Sequence, residues 1–449
     1  MPSPTLKSQP SQSVSPSNGG ADSNKLAPED RPAHDWYRFV LSYPPHLVRE
    51  YLQRFDATAR TTVLDPFCGT GTTVVECKKH GIPSVGIEAH PMSHFASLTK
   101  TDWAVSPKRL RDVARRIADE AHEALDNDRI FDEPNPLLFR EGHALAVLRT
   151  LPAEPMKLLL TDSISARPLH KVLVLIEAIN RHATPSVAGP LRLALARALV
   201  STISNLHFGP EVGIGPAKED SPVVSAWQDR IELIARDLDA LRPHDATPSE
   251  VYHADSRKLP SILRNRSIEA VITSPPYPNE KDYTRTTRLE SVLLGFIQSK
   301  AELQALKRTK LLRSNTRNVY KGDEDHKWVA GHAEVQRIAR EIEERRIELG
   351  KTSGFERLYA TVTKLYFGGM ARHLSDLRTR LVPGARLAYV VGDQASYLRI
   401  MIRTGNILAS IAEELGYVVE GIDLFRTRLA TATRAQLREE VLVLRWPGK

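Results

Sequence analysis

Two short segments hold residue types that can do chemistry. The first is Asp65-Pro66-Phe67-Cys68-Gly69-Thr70-Gly71-Thr72-Thr73. Glycines at a strand-to-helix turn let the backbone approach a ligand closely, and the helix start offers free N–H groups to a carboxylate or phosphate. Glu88 follows Gly71 by 17 residues and ends the next strand, where a carboxylate accepts both hydroxyls of a ribose. A Gly-X-Gly alone is often only a tight turn; the acid at this distance favours an adenosine cofactor. The third glycine of a dinucleotide fingerprint is missing, and no Gly-Lys-Ser/Thr phosphate loop occurs, which argues against NAD and ATP. The second segment is Thr273-Ser274-Pro275-Pro276-Tyr277, directly after a β-rich run. Its two prolines stiffen the loop and remove two donors, so carbonyls remain as acceptors beside the Ser274 hydroxyl. Tyr277 adds a flat ring. Acceptors plus a stacking face suit an aromatic base that carries an amino group. Pro-Pro-Tyr by itself reads equally as a rigid turn with a packed tyrosine; its place at a strand end, in one sheet with the glycine loop, favours the functional reading.

These segments need a sheet to position them. Thr61 to Leu64 and Ser84 to Ile87 are short β-rich runs around a helix from Val74 to His80, the first unit of a parallel nucleotide-binding sheet. Val251 to His253, Ala270 to Thr273 and Arg386 to Val391 continue it, the last ending at Gly392. Val418 to Phe425 and Glu440 to Arg445 read as a closing antiparallel hairpin. Seven strands with intervening helices predict an α/β fold carrying two insertions. Between them, Ser106-Pro107 is an N-cap with proline at the first helical position, and Leu110, Val113, Ala114, Ile117, Ala121 and Leu125 recur at helical spacing. Val224, Trp227, Ile231, Ile234, Leu238 and Leu241 repeat the pattern. The division expected is a disordered tail at 1–33, a cofactor half at 34–105, a helical insertion at 106–245, core strands with the Ser-Pro-Pro-Tyr motif at 246–295, a basic insertion at 296–365, and the rest of the core at 366–449. Residues 204–216 read as a Gly/Pro connector, with a lid or recognition loop as the alternative.

Composition narrows the class. The chain has 449 residues, 41% hydrophobic and 26% charged, which suits a globular core with insertions. A net charge of +8 suggests a polyanionic partner without proving one. Cys68 and Cys77 are the only cysteines, too few for a disulfide framework or a metal site, and point to the cytoplasm. No secretory leader and no long uncharged apolar run is evident; Leu191 to Ile203, interrupted by Arg192 and Arg197, reads as a buried helix. The histidines show no metal-ligand spacing, and no metal is expected.

The glycine segment together with Thr-Ser-Pro-Pro-Tyr resembles the DNA amino-methyltransferases over most of residues 34–446. The resemblance implies a Rossmann-like class I methyltransferase sheet, S-adenosyl-L-methionine as cofactor, and double-stranded DNA as partner with the target base flipped out. It also implies a cytoplasmic, nucleoid-associated enzyme that can be partnered by a separately encoded restriction endonuclease. The serine form of the motif is typical of N4-cytosine enzymes and aspartate of N6-adenine enzymes. An N6-adenine enzyme, an RNA guanine-N2 methyltransferase and a binding subunit without catalysis are the alternatives. Position by position, Asp65, Phe67, Gly69 and Gly71 would surround the cofactor, with Thr72 and Thr73 near its carboxylate. Glu88 would hold the ribose, and Asp255 the adenine amino group. Tyr43-Pro44-Pro45 resembles the segment that closes over the cofactor, a linker turn being the other reading. Ser274, Pro275, Pro276 and Tyr277 would form the base pocket. C5-cytosine enzymes need a cysteine nucleophile in a Pro-Cys setting, which neither Cys68 nor Cys77 has. Residues 296–322 hold seven Lys/Arg against Glu302 as the one acid. In a base-modifying enzyme Lys307, Arg308, Lys310, Arg313, Arg317 and Lys321 are expected at DNA phosphates; a solvated helix face is the plainer alternative.

Overall fold

The computed structural model describes residues 26–38, 42–133, 147–209, 211–261, 263–429 and 436–448. Among them, seven strands form one sheet: β1 Val63–Asp65, β2 Ser84–Glu88, β5 Ser249–His253, β6 Ile268–Thr273, β7 Leu381–Gly392, β8 Val418–Leu429 and β9 Gln436–Arg445. The spatial order is β5-β2-β1-β6-β7-β9-β8. The first five strands run parallel, and β9 is antiparallel to both its neighbours. The order reverses between β1 and β6, so the loops leaving these two strands diverge and open a crevice beyond their carboxyl ends. Both chemistry-bearing segments start there. The sheet is buried on both faces, which is why β1 and β6 are almost wholly apolar up to Asp65 and Thr273.

The expected final hairpin is present and longer than the sequence suggested, since both strands extend past the apolar runs into charged residues. Helices cover the sheet. We number those of eight residues or more: α1 Pro45–Arg54, α2 Thr72–Lys79, α3 Pro91–Lys100, α4 Pro107–Asn127, α5 Ala166–His182, α6 Pro185–Ala198, α7 Val224–Leu241, α8 Lys300–Thr309, α9 Ala333–Glu348, α10 Tyr359–Leu377 and α11 Thr404–Glu414.

Helices α4 to α7 form a second core beside the sheet. Leu110, Val113, Ile117, Leu191, Leu195, Trp227, Ile231 and Leu238 are all buried in it, as their spacing predicts. Ser106 caps α4 by accepting from the Arg109 N–H at 3.3 Å. The apolar helix α6 and its continuation to Ile203 lie in this core. Residues 204–216 are not a plain connector. Leu206–Phe208 (β3) and Val212–Ile214 (β4) pair as a small antiparallel hairpin. Asn205, buried at its base, holds the chain from both sides through Asp162, Ser165 and Lys218.

The tail also differs from expectation. Residues 26–33 fell within the segment read as disordered, yet Asp30 and Ala33 are buried. Arg49 donates to Asp30 Oδ1 at 2.6 Å and to Glu76 Oε2 at 2.7 Å. Lys79 donates to the Asp30 carbonyl and Asp237 accepts from the Ala33 N–H, both at 3.3 Å, so charged partners on three helices anchor a stretch too poor in apolar residues to announce itself. Residues 1–25 of that tail lie outside the described residues.

Candidate active site

The crevice at the switch point is a cavity lined from both sides. Phe67, Gly69, Thr72, Glu88 and Asp255 line it from the β1, β2 and β5 ends; Ser274, Pro275, Pro276 and Tyr277 line it from β6. Nine of the twelve catalytic and cofactor positions named from sequence thus converge, although Asp255 and Phe67 are 188 residues apart.

The glycine loop is held open by its own backbone. Gly71 sits at φ +89° as the N-cap of α2, a conformation that favours glycine. A Cβ there would meet Ser97 Oγ at 2.6 Å. Gly69 is also left-handed, at φ +53°, but a Cβ would meet nothing within 4 Å. The loop closes through the Gly71 N–H bond to the Cys68 carbonyl at 2.7 Å, and the Gly69 N–H donates to Glu88 Oε2 at 2.8 Å. Glu88 also accepts from the His90 N–H at 2.7 Å. Two backbone donors leave lone pairs of this carboxylate free toward the cavity, enough for a pair of ribose hydroxyls. Removal from solvent pushes its pKa up to about 7.

Three of the named residues stand behind the wall rather than in it. Asp65 is fully buried and accepts from the Thr273 hydroxyl at 2.6 Å, the Phe67 N–H at 3.1 Å and the Tyr43 hydroxyl at 3.1 Å. Thr73 is fully buried too, and its hydroxyl donates to the Ile272 carbonyl at 3.1 Å. Thr73 is the second residue of α2 and its side chain points at β6, whereas Thr72 beside it lines the cavity. Gly71 shapes the loop from behind. Tyr43 lines the cavity beside Ser42 and is tied to both Asp65 and Thr73. That segment is therefore a wall element and not a free linker turn.

Asp255 carries a fixed partner. The Arg257 guanidinium donates to it at 2.8 Å and also to Asp325 at 2.7 Å. Phe67 is steadied edge-on by His373, with ring centroids 5.0 Å apart. His373 Nδ1 lies 2.7 Å from the Ser256 carbonyl and so carries the proton; its Nε2 accepts from Tyr389 at 2.7 Å. Burial lowers its pKa to about 4, so it stays neutral.

On the other side, the Ser274 hydroxyl donates to the Val390 carbonyl at 3.2 Å, which leaves its lone pairs as acceptors. The Tyr277 ring lies against Gly392 at the end of β7, where a Cβ would meet ring atom Cε2 at 2.9 Å. Cys68 and Cys77 are buried thiols whose pKa burial pushes well above the usual value. Neither is poised as a nucleophile.

Sequence reasoning missed Lys100. It is fully buried, and its ammonium donates to the Thr70 carbonyl at 2.8 Å and to the Tyr37 carbonyl at 3.3 Å. It pins the glycine loop to the N-terminal segment, and burial brings its pKa down to about 7. No motif marks it, because its partners are main-chain oxygens.

The basic run splits. Arg308, Arg317 and Lys321 are exposed, and Lys310 lines the cavity. Arg313 is 1% exposed; it pairs with Asp323 and donates to the carbonyls of Lys307, Arg308 and Leu311. Lys307 pairs with Asp282 at 2.6 Å. These two hold the insertion together and are engaged by carboxylates that lie outside the basic run on either side, Asp282 before it and Asp323 after it, which corrects their expected place at phosphates.

The strand order, with one antiparallel strand inserted next to the edge, and the glycine loop at the reversal define a Rossmann-like methyltransferase fold. The DNA methylase family model matches residues 17–96. The Type II methyltransferase M.BsoBI of Geobacillus stearothermophilus is 24% identical, over 87% of this chain and 80% of that protein. The Type II methyltransferase M.AvaI of Nostoc sp. is also 24% identical, over 94% of this chain and 88% of its own length. A third, M.MvaI of Kocuria varians, is 20% identical over 58% of this chain. Together these similarities support assigning the chain to the DNA amino-methyltransferases.

Proposed function

We propose that this protein transfers the methyl group of S-adenosyl-L-methionine to the N4 amino group of cytosine within a specific sequence of double-stranded DNA. The observation that carries the proposal is one cavity walled on one side by Gly69 and Glu88 and on the other by Ser274 and Tyr277. The first wall fits an adenosine cofactor: open backbone at Gly69, a carboxylate with free lone pairs at Glu88, and a second carboxylate at Asp255. Phe67, Gly69 and Thr72 would hold its remainder. When bound, the cofactor supplies an electrophilic methyl group.

The chain's own residues do the rest by position. An exocyclic amine is a weak nucleophile because its lone pair is delocalised into the ring. Ser274 Oγ, its proton committed to Val390, accepts one amine N–H; the Pro275 carbonyl accepts another. Two acceptors out of the ring plane favour a more tetrahedral nitrogen, and Tyr277 fixes the ring's attitude by stacking. No covalent enzyme intermediate is needed, in keeping with two buried thiols. A base in a duplex must leave the stack to reach this cavity. Exposed Arg308, Arg317 and Lys321, with Lys310, remain proposed phosphate contacts, and the insertions 106–245 and 296–365 proposed recognition elements. In its cytoplasmic, nucleoid-bound setting a separately encoded restriction endonuclease is the proposed companion.

Expression in a methylation-free host, followed by sequencing that separates N4-methylcytosine from N6-methyladenine, tests the reading. N4-methylcytosine in one short motif is expected. Methyladenine instead moves the target to adenine, modified RNA with unmodified DNA moves it to guanine N2, and no transfer despite cofactor binding overturns the proposal.

A further inference from the structure

The cavity has a cationic mouth that neither motif announces. Lys281, four residues beyond Tyr277, lines it, as do Arg426 and Arg428 on β8 and Glu439 on β9. Arg426 and Arg428 are two apart on one strand and so face the same side. A single carboxylate serves both: Glu439 lies 2.6 Å from Arg426 and 3.5 Å from Arg428. The Lys281 ammonium has no hydrogen bond or ion pair among the described residues, in contrast to Lys307 one insertion away. Glu211, in the β3–β4 hairpin, and Glu439, already engaged by both arginines, are the acids whose charge acts on it. Burial and the proximity of Arg428 lower the lysine's pKa, so its charge is held at a cost. Half-buried like charges that share too little counter-charge are relieved by an anion.

Position identifies the anion's source. In the strand order, β8 lies on the far flank, beyond β6 and its Ser-Pro-Pro-Tyr loop, whereas Glu88 and Asp255 lie on the opposite side of the switch. The cations therefore belong to the base side of the cavity and not to the cofactor side. A base entering between Ser274 and Tyr277 brings its own backbone phosphate to the mouth. We infer that Lys281, assisted by Arg428, binds the phosphate of the everted target nucleotide and is a positioning residue for base entry. This rests on the base-methylation reading above and adds to it the element that holds the nucleotide.

The test is binding of the full chain, loaded with cofactor, to two fluorescent duplexes measured by anisotropy across a salt series. One duplex contains the modified motif and the other a scrambled one. Lys281→Ala and Lys281→Met should each weaken binding to the motif duplex about tenfold and reduce its salt slope by about one, leaving the scrambled duplex and cofactor affinity unchanged. Lys281→Arg should restore most of the loss. An unchanged slope on the motif duplex, or an equal loss on both, overturns the inference. Turnover is not needed for this readout. Normal transfer by the wild type with no motif-specific loss in the Lys281 variants would sink the phosphate site and keep the activity; absence of any transfer in the methylation-free host would sink the activity and the inference that rests on it.

Discussion

The Thr273 hydroxyl donates to Asp65 Oδ1 across 2.6 Å, joining the last residue of β6 to the last residue of β1. The two segments that carry the chemistry are thus bonded where they leave the sheet, and Tyr43 closes the same carboxylate from above. Thr273→Val should lose about 1–2 kcal/mol of stability in urea denaturation, and Asp65→Ala more, since it strands three buried donors. A Thr273→Val protein of wild-type stability would show that the joint is incidental.

Cofactor affinity should depend on pH through Glu88. Its carboxyl titrates near pH 7 in the folded chain, raised by burial from 4.5. For folding, a raised carboxylate pKa means stability present below the unfolded value and lost as pH rises through 7. Ribose hydroxyls donate to the charged form, so binding has the opposite sign: affinity should be full above pH 8 and fall toward pH 6. Calorimetry across that window should show proton release on binding. Glu88→Gln should bind more weakly and with a flat profile.

The two loop glycines should behave differently. Gly71→Ala drives a Cβ into Ser97 and forces an alanine to φ +89°, so cofactor binding and thermal stability should both fall. Gly69→Ala meets no protein atom and should cost only about 1–2 kcal/mol of stability through backbone strain, although its Cβ takes up cavity space proposed for the cofactor. Equal effects of the two would remove the Ser97 contact as the cause.

Gly392→Ala should act through Tyr277. The added Cβ displaces the ring from β7 without touching the cofactor side. Methylation should drop at least tenfold in kcat while cofactor affinity stays within about twofold, because a misplaced stacking ring costs about 1–3 kcal/mol. Tyr277→Ala should show the same split, and Gly392→Ala should add little on top of it.

Within the basic run, Arg313→Ala should destabilise the fold by about 3–5 kcal/mol, since it leaves Asp323 and three carbonyls without their buried partner. An Arg308→Ala/Lys321→Ala double variant should keep the wild-type melting temperature and lower the salt slope of DNA binding. If Arg313→Ala unfolds no more readily than the double variant, the guanidinium is not a strut.

What the sequence by itself determined is local and periodic. The apolar runs of β1, β2, β6 and β7, the spacing in α4 and α7, and the two motifs are all legible, because strand, helix and turn preferences act within a few residues. Glu88 was found by its distance from Gly71, since a strand–helix–strand unit has a nearly constant length. Only the tertiary structure decided which charges remain available. Lys307 and Arg313 look like phosphate ligands until Asp282 and Asp323 fold against them. Lys100, surrounded by carbonyls, carries no signature, and Thr73 turns from the cavity to β6. Lys281 and Arg428 are 147 residues apart and meet only because β8 lies beyond β6 in the sheet. Pairing of distant charges depends on topology and desolvation, and neither is written in the spacing of residues along the chain.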